Sequence, residues 1–251
     1  MIKLFVVDLD GCISFPFVTP DWEAINQIRD LNIASEYDPH IPSVTICTGR
    51  PLPYAEAVAQ WLCVRHPFAF ESGAGLYHTQ MNELSWAPFL TDDRLKAITE
   101  LKEWAVKDII PKFPGTVAEF TKRTDVGFIH PQVEVNHQIY QAVKPHVQIN
   151  YPDFEVHDTD VSVNIIVRDC NKGTGVSLLS ERIGVPLDQM AYIGDSSGDL
   201  PAMHKVKWAF APSNARSQVK AFAENLDEEA TKATLKAYQK IIEYNKSFKK
   251  S

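Results

Sequence analysis

Short apolar runs alternate with stretches of helical periodicity at both ends of this chain, and the pattern changes in the middle. Lys3 to Leu9 is rich in Val and Phe, apolar on both faces, and stops at Asp10-Gly11, which predicts a central parallel strand. Trp22, Ile25 and Ile28 then recur at helical spacing within Asp21 to Ile33. A second apolar run, Ser43 to Cys47, ends at Thr48-Gly49. Pro51 and Pro53 open a helical stretch, Tyr54 to Val64, since Pro is tolerated in a first helical turn. A third run, Phe68 to Glu71, ends in Ser72-Gly73. Strands alternating with helices predict βαβ units and a parallel sheet.

From Tyr77 the spacing becomes that of hairpins. Tyr77 to Trp86 reads as two strands around a polar turn. Thr91 to Val167 reads as α-β-β-α-β-β: helix Asp92 to Ile109, strands Val117 to Thr121 and Val126 to His130, helix Val133 to Val147, then strands Phe154 to His157 and Asp160 to Val167. Such a string predicts an antiparallel sheet covered by helices. The alternating pattern then returns with helix Gly173 to Ile183, strand Met190 to Ile193, helix Asp199 to Lys205, strand Lys207 to Ala211 and helix Ala215 to Ala223. A charged amphipathic helix, Asp227 to Lys250, closes the chain. The expectation is a doubly wound, mainly parallel α/β domain, residues 1–83 and 168–251, split by an inserted α+β domain, residues 84–167.

Composition narrows the partners. The 251 residues carry 25 Lys+Arg against 32 Asp+Glu, a net charge of −7. Phosphate backbones and anionic membranes reward clustered Lys and Arg, so neither nucleic acid nor a membrane surface is expected as a partner. Hydrophobic residues make up 45% and charged residues 23%, which fits a folded globular chain. No apolar run reaches the roughly 18 residues of a membrane span. The opening MIKLFVVDLDG does not read as a signal peptide, and the four cysteines show no CxxC spacing. A cytoplasmic protein with free thiols is expected.

Candidate chemistry sits at four stations where a strand or loop meets a helix: Asp8 with Asp10, Thr48-Gly49-Arg50, Lys172, and Asp195 with Asp199. Ligands of open parallel sheets bind beyond the carboxyl ends of the strands, so these stations converge if their strands are neighbours. Asp8 and Asp10, two apart in an extended strand, point to one side; an ordinary Asp-Gly turn is the plainer alternative. With Asp195 the pocket would hold three acids, whose mutual repulsion a cation must relieve. Oxygen ligands of this kind suit Mg²⁺. Thr48, the Gly49 amide and Lys172 would supply donors to phosphate oxygens. Gly194-Asp195-Ser196-Ser197-Gly198 also matches the serine-hydrolase elbow G-x-S-x-G. His204 is the one histidine after it, eight positions on, and cannot fold back onto Ser196 from the same helix. No His spacing suggests zinc.

The strings VVDLDG (Val6 to Gly11), ICTGR (Ile46 to Arg50), NKG (Asn171 to Gly173) and GDSSGD (Gly194 to Asp199) resemble the ordered motifs of the haloacid dehalogenase (HAD) superfamily of phosphatases. An insertion between the second and third is the position of that family's type 2 cap, as in Cof-like, sucrose-phosphate and phosphoglycolate phosphatases. The resemblance implies a Rossmann-like core and a Mg²⁺-dependent phosphomonoester hydrolase acting on a small phosphorylated metabolite, such as a sugar phosphate or phosphoglycolate. It implies that Asp8 is the nucleophile, forming an aspartyl-phosphate, and that Asp10 is the acid/base. Mg²⁺ would lie on Asp8, the Asp10 carbonyl and Asp195, with Asp199 alongside. Thr48, Gly49 and Lys172 would hold the phosphoryl group, and Arg50 and Asn171 would contact the substrate. Two residues depart from the pattern: Gly198, where the family usually has Asn, and Ser72, where relatives often have Asn. A silent metabolite-binding protein and a phosphotransferase are the alternatives.

Overall fold

A computed structural model describes residues 1–16, 18–159 and 162–248. The chain separates into two compact units, Met1–Ala87 with Asn171–Ser251, and Pro88–Cys170.

The first unit is built on strand β1 (Leu4–Val7), whose four residues are all fully buried. Helix α1 (Trp22–Ala34), capped by the Asp21 carboxylate, leads to β2 (Ser43–Ile46), which is followed by α2 (Leu52–Trp61) and the three-residue β3 (Phe68–Phe70). β3 does not continue the parallel pattern its apolar run predicts. Glu71, Ser72 and Gly73 all take positive φ, so the chain reverses. β3 then pairs antiparallel with β4 (Gly75–His78), and β4 with β5 (Glu83–Trp86). A single parallel bridge, Cys47 to Ala69, links this hairpin sheet to the end of β2.

The second unit runs α3 (Asp92–Trp104), extended by a wider turn Ala105–Ile109, then β6 (Val117–Glu119), β7 (Asp125–Ile129), α4 (Val133–Asn150), β8 (Phe154–Asp158) and β9 (Ser162–Val167). Its sheet has the order β6-β7-β9-β8 and is antiparallel throughout. Burial alternates along β9, with Val163, Ile165 and Val167 inside, as a sheet covered on one face requires. The expected strand start at Asp160 and Val161 lies outside the described residues.

The chain re-enters the first unit with α5 (Lys172–Ile183), β10 (Met190–Ile193), α6 (Leu200–Met203), β11 (Trp208–Ala211), α7 (Ser217–Lys220), β12 (Glu224–Asn225) and α8 (Ala230–Ser247). α7 is shorter than the expected Ala215 to Ala223, and α8 begins three residues later than expected; Lys249 and Lys250 lie outside the described residues. The parallel sheet has the order β12-β11-β10-β1-β2. Phe5 and Val7 pack with residues of α1, α2 and α8 on one face, while Leu4 and Val6 pack with Val176, Leu179 and Met203 on the other. The core is therefore a doubly wound α/β sheet. Each fully buried aliphatic or aromatic side chain contributes roughly 1.5–3 kcal/mol relative to exposure, so β1 is fixed firmly in place. α8 secures the loop after β1: Thr234 donates to the Cys12 carbonyl at 2.6 Å and Thr231 to that of Ile13 at 2.5 Å. Among the described residues no helix is long and apolar enough to cross a membrane.

Candidate active site

Register brings the stations together. Val7 pairs with Ile46 on one side and Ile193 on the other, so Asp8, Cys47-Thr48 and Gly194-Asp195 all leave the sheet at its carboxyl edge. The ladder continues one step, with Asp8 N donating to the Ile193 carbonyl and Cys47 N to that of Val7. Gly11 turns the chain away at φ +72°, and a Cβ there would fall 2.1 Å from Asp195 Oδ2. Glycine is thus required twice, for the backbone angle and for the close approach of the acid.

The deepest group is an ion-pair chain. Lys172, at the start of α5, lies 2.8 Å from Asp8 Oδ1 and 2.6 Å from Asp199 Oδ1, and their side chains are 9%, 4% and 0% exposed. Burial works against the Lys172 ammonium, but Asp199 and Asp8 outweigh it and hold its proton well above the usual lysine range. Tyr192 donates to the same Asp199 oxygen at 2.8 Å, and the Asp195 amide, the Ser196 amide and the Ser196 hydroxyl all donate to its Oδ2. Although burial alone would raise the Asp199 acid, Lys172 and these donors hold it below the usual carboxylate range. Both Asp199 oxygens are thus engaged by donors of the chain itself. It organises the 195–199 loop and Lys172.

Asp8 and Asp195 are left differently. Their oxygens and the Cys12 sulfur all lie within 4.8 Å of one another. Burial first, only partly offset by Lys172 and reinforced by Asp199, Asp195 and Asp10, pushes the Asp8 acid well up. Burial, then Asp199, pushes Asp195 up to about 6. Two partly desolvated carboxylates facing each other form an oxygen-donor set that fits a hard divalent cation. Burial also pushes the Cys12 thiol well up, so it keeps its proton and offers such an ion little. The Asp10 side chain stands outside this group: Arg50 binds it in a fork, Nε to Oδ2 at 2.7 Å and Nη2 to Oδ1 at 2.9 Å.

The remaining expected residues divide. Thr48 is buried, its amide donating to the Ala69 carbonyl, its carbonyl accepting from Ser72 N, and its hydroxyl accepting from Arg50 N at 3.1 Å. Gly49 lies beneath Ser72, whose hydroxyl is 3.3 Å from where a Gly49 Cβ would be. The Asn171 oxygen is spent within the chain as the cap of α5, accepting from Thr174 N. The elbow reading of Ser196 fails: its hydroxyl donates to Asp199, and His204 is bound to the Leu200 carbonyl and packed on Phe222. A Cβ at Gly198 would meet nothing closer than Ser196 Oγ at 3.6 Å, so the change from Asn leaves the loop intact. Tyr192, Tyr54 and Asn214 were not among the expected site residues. Tyr54 lies under the Arg50 guanidinium, and Asn214 ties the Gly11 carbonyl to the start of α8. Of these, Tyr192 carried a signal: a phenol in an all-buried strand needs a partner for its hydroxyl.

The chain resembles known proteins over nearly its whole length. It is 27% identical to a phosphoglycolate phosphatase of Methanothrix thermoacetophila, covering 92% of both chains. To one of Methanococcoides burtonii it is 26% identical, covering 97% of this chain and 96% of the relative. It shares its fold with a haloacid dehalogenase-like hydrolase from Bacteroides thetaiotaomicron (TM-score 0.75, 15% identity, 96% of this chain and 100% of the other). It also shares it with the Synechocystis sucrose-phosphatase solved with sucrose and phosphate (TM-score 0.67, 17% identity, 96% and 98%). The family model for haloacid dehalogenase-like hydrolases matches residues 111–236. On that match, and on a sheet whose carboxyl edge gathers the motif residues, the chain belongs to the haloacid dehalogenase-like hydrolases, as one of the family's phosphatases.

Proposed function

We propose that this phosphatase is a Mg²⁺-dependent phosphomonoester hydrolase that works through an aspartyl-phosphate on Asp8 and acts on a small phosphorylated metabolite. The convergence of Asp8, Asp195 and Lys172 at one sheet edge carries the reading. A phosphoglycolate or a compact sugar phosphate is the substrate class that the names of the relatives support.

Asp8 attacks phosphorus, the ester oxygen leaves with a proton from Asp10, and a phosphoryl group now rests on Asp8. Asp10 then takes a proton from water, which attacks the same phosphorus and returns Asp8 as a carboxylate. Splitting one hydrolysis into two displacements uses a carboxylate nucleophile well. Lys172, at hydrogen-bond distance from Asp8, and the Thr48 hydroxyl hold phosphoryl oxygens, and positioning with charge neutralisation is most of what such a transition state needs. Mg²⁺ would be held by Asp8 and Asp195, with the Asp10 carbonyl, and would supply further neutralisation of phosphoryl charge. Pro88–Cys170 is inserted between the second and third stations, where the family's cap is found, and we assign it that role.

The test is phosphate release from p-nitrophenyl phosphate with Mg²⁺. Wild-type activity should disappear with EDTA and fall on the order of 10⁴-fold or more in Asp8→Asn. Activity that survives either treatment contradicts the mechanism.

A further inference from the structure

We propose that Arg50 is an exchangeable clamp on Asp10, drawn away by a second, carboxylate group of the substrate so that Asp10 becomes available for proton transfer only when such a substrate is bound. The inference rests on the phosphatase reading of Asp10 and adds to it a control on when that residue can act.

Three observations carry it. First, the fork engages both Asp10 oxygens at 2.7 and 2.9 Å. The fork takes one lone pair on each oxygen and fixes the plane of the carboxylate against Arg50, so Asp10 is free to turn toward a leaving group or water only once the fork opens. Second, the pair sits where release is cheap. The Arg50 and Asp10 side chains are 31% and 38% exposed, so water can take over each group as the fork opens, which it cannot do around the buried Lys172. Third, the guanidinium has a resting place independent of Asp10. Its carbon lies 4.9 Å from the centre of the Tyr54 ring, and the Tyr54 hydroxyl is bonded to Ser14 Oγ at 3.1 Å. Cation–π attraction keeps the fork at the same edge of the site after Asp10 leaves it.

What takes Asp10's place follows from what it already offers. Arg binds planar carboxylates in a bidentate fork, and a substrate carboxylate reproduces the two bonds broken at Asp10. Two N–H···O contacts are lost and two are made, so the exchange is close to even. An ester with a neutral hydroxyl in place of the carboxylate must free Asp10 without this compensation.

The experiment compares kcat/KM for 2-phosphoglycolate and ethylene glycol monophosphate, which differ in carboxylate against hydroxymethyl. The proteins are wild type, Arg50→Met and Arg50→Lys, each checked for folding by thermal melting. Wild type should prefer the carboxylate ester by at least about tenfold, because a site that pairs with a polar group rejects analogues lacking it. In Arg50→Met the preference should collapse to within about twofold, the loss falling mainly on phosphoglycolate. Arg50→Lys keeps the charge without the fork, and should lose most of the preference too. An unchanged preference in the variants, an equal loss on both esters, or no preference in wild type overturns the clamp. In those cases the phosphatase reading survives, since wild type still releases phosphate. Release from neither ester by wild type brings down that reading and the clamp with it.

Discussion

Lys172 and Arg50 each hold a motif aspartate, at 2.8 and 2.7 Å, yet their surroundings differ in almost every respect. Lys172 is shared between two carboxylates in a region almost closed to water, and its partner Asp199 is fixed by four further donors. Arg50 grips the Asp10 carboxylate at a half-buried place where water reaches both groups. The first arrangement is expensive to disturb, because removing one member leaves others charged and desolvated. The second is inexpensive, because solvent takes over. Equal distances therefore describe a fixed frame in one place and a movable contact in the other, and burial decides which is which.

Breaking each pair should expose the contrast. Lys172→Met leaves Asp8 and Asp199 buried without their cation and is expected to cost about 3–5 kcal/mol. Arg50→Met should cost within about 1 kcal/mol. Urea denaturation of both variants measures the difference, and similar losses would erase the distinction.

A cation should sharpen it next. Burial, and then Asp199, raise Asp195 from 3.8 to about 6 in the folded protein. An acid raised on folding costs nothing below its unfolded pKa, where both states bind the proton; the cost grows from about pH 4 and is complete above about pH 6. Metal-free protein is thus destabilised at this site as pH rises through that window, and a bound divalent ion removes the penalty. Thermal melts should show a larger Mg²⁺-induced rise near pH 7.5 than near pH 5. An equal rise at both, or none, argues against Asp195 as a ligand.

The smallest effect concerns the fixed frame alone. Tyr192→Phe removes one of the donors to Asp199 and should cost about 1 kcal/mol of stability. Lowered kcat with unchanged KM would show that Tyr192 acts through Lys172 and Asp8; a rise in KM alone would not.

The parallel core was legible because its signal is strong and local. Apolar runs end abruptly at Asp10, Thr48 and Gly194, and a chain apolar on both faces suits a sheet covered on both sides. The convergence of the stations followed from the same pattern, since strand ends in one parallel sheet share an edge. The hairpin of β3 and β4 was not legible: Phe68 to Phe70 looks like any buried strand, and the reversal depends on Glu71 and Ser72 taking positive φ, unusual for these residue types. Nor was the setting of Asp199: its spacing from Asp195 places it beside the proposed cation, but no sequence pattern announces the five donors around its carboxylate. The fork between Asp10 and Arg50 joins residues 40 apart whose side chains extend past the last paired positions, where strand register no longer dictates contacts.

The central claim is that the Asp8 carboxylate captures a phosphoryl group. Its most direct test is to mix the protein with Mg²⁺ and excess 2-phosphoglycolate, quench in acid within a turnover, and weigh the peptide containing Asp8. The account predicts that this peptide gains the mass of one phosphoryl group, that hydroxylamine removes it, and that Asp8→Asn gains none. Turnover with the peptide unmodified at every quench time, or with the phosphoryl group on another residue, would contradict it.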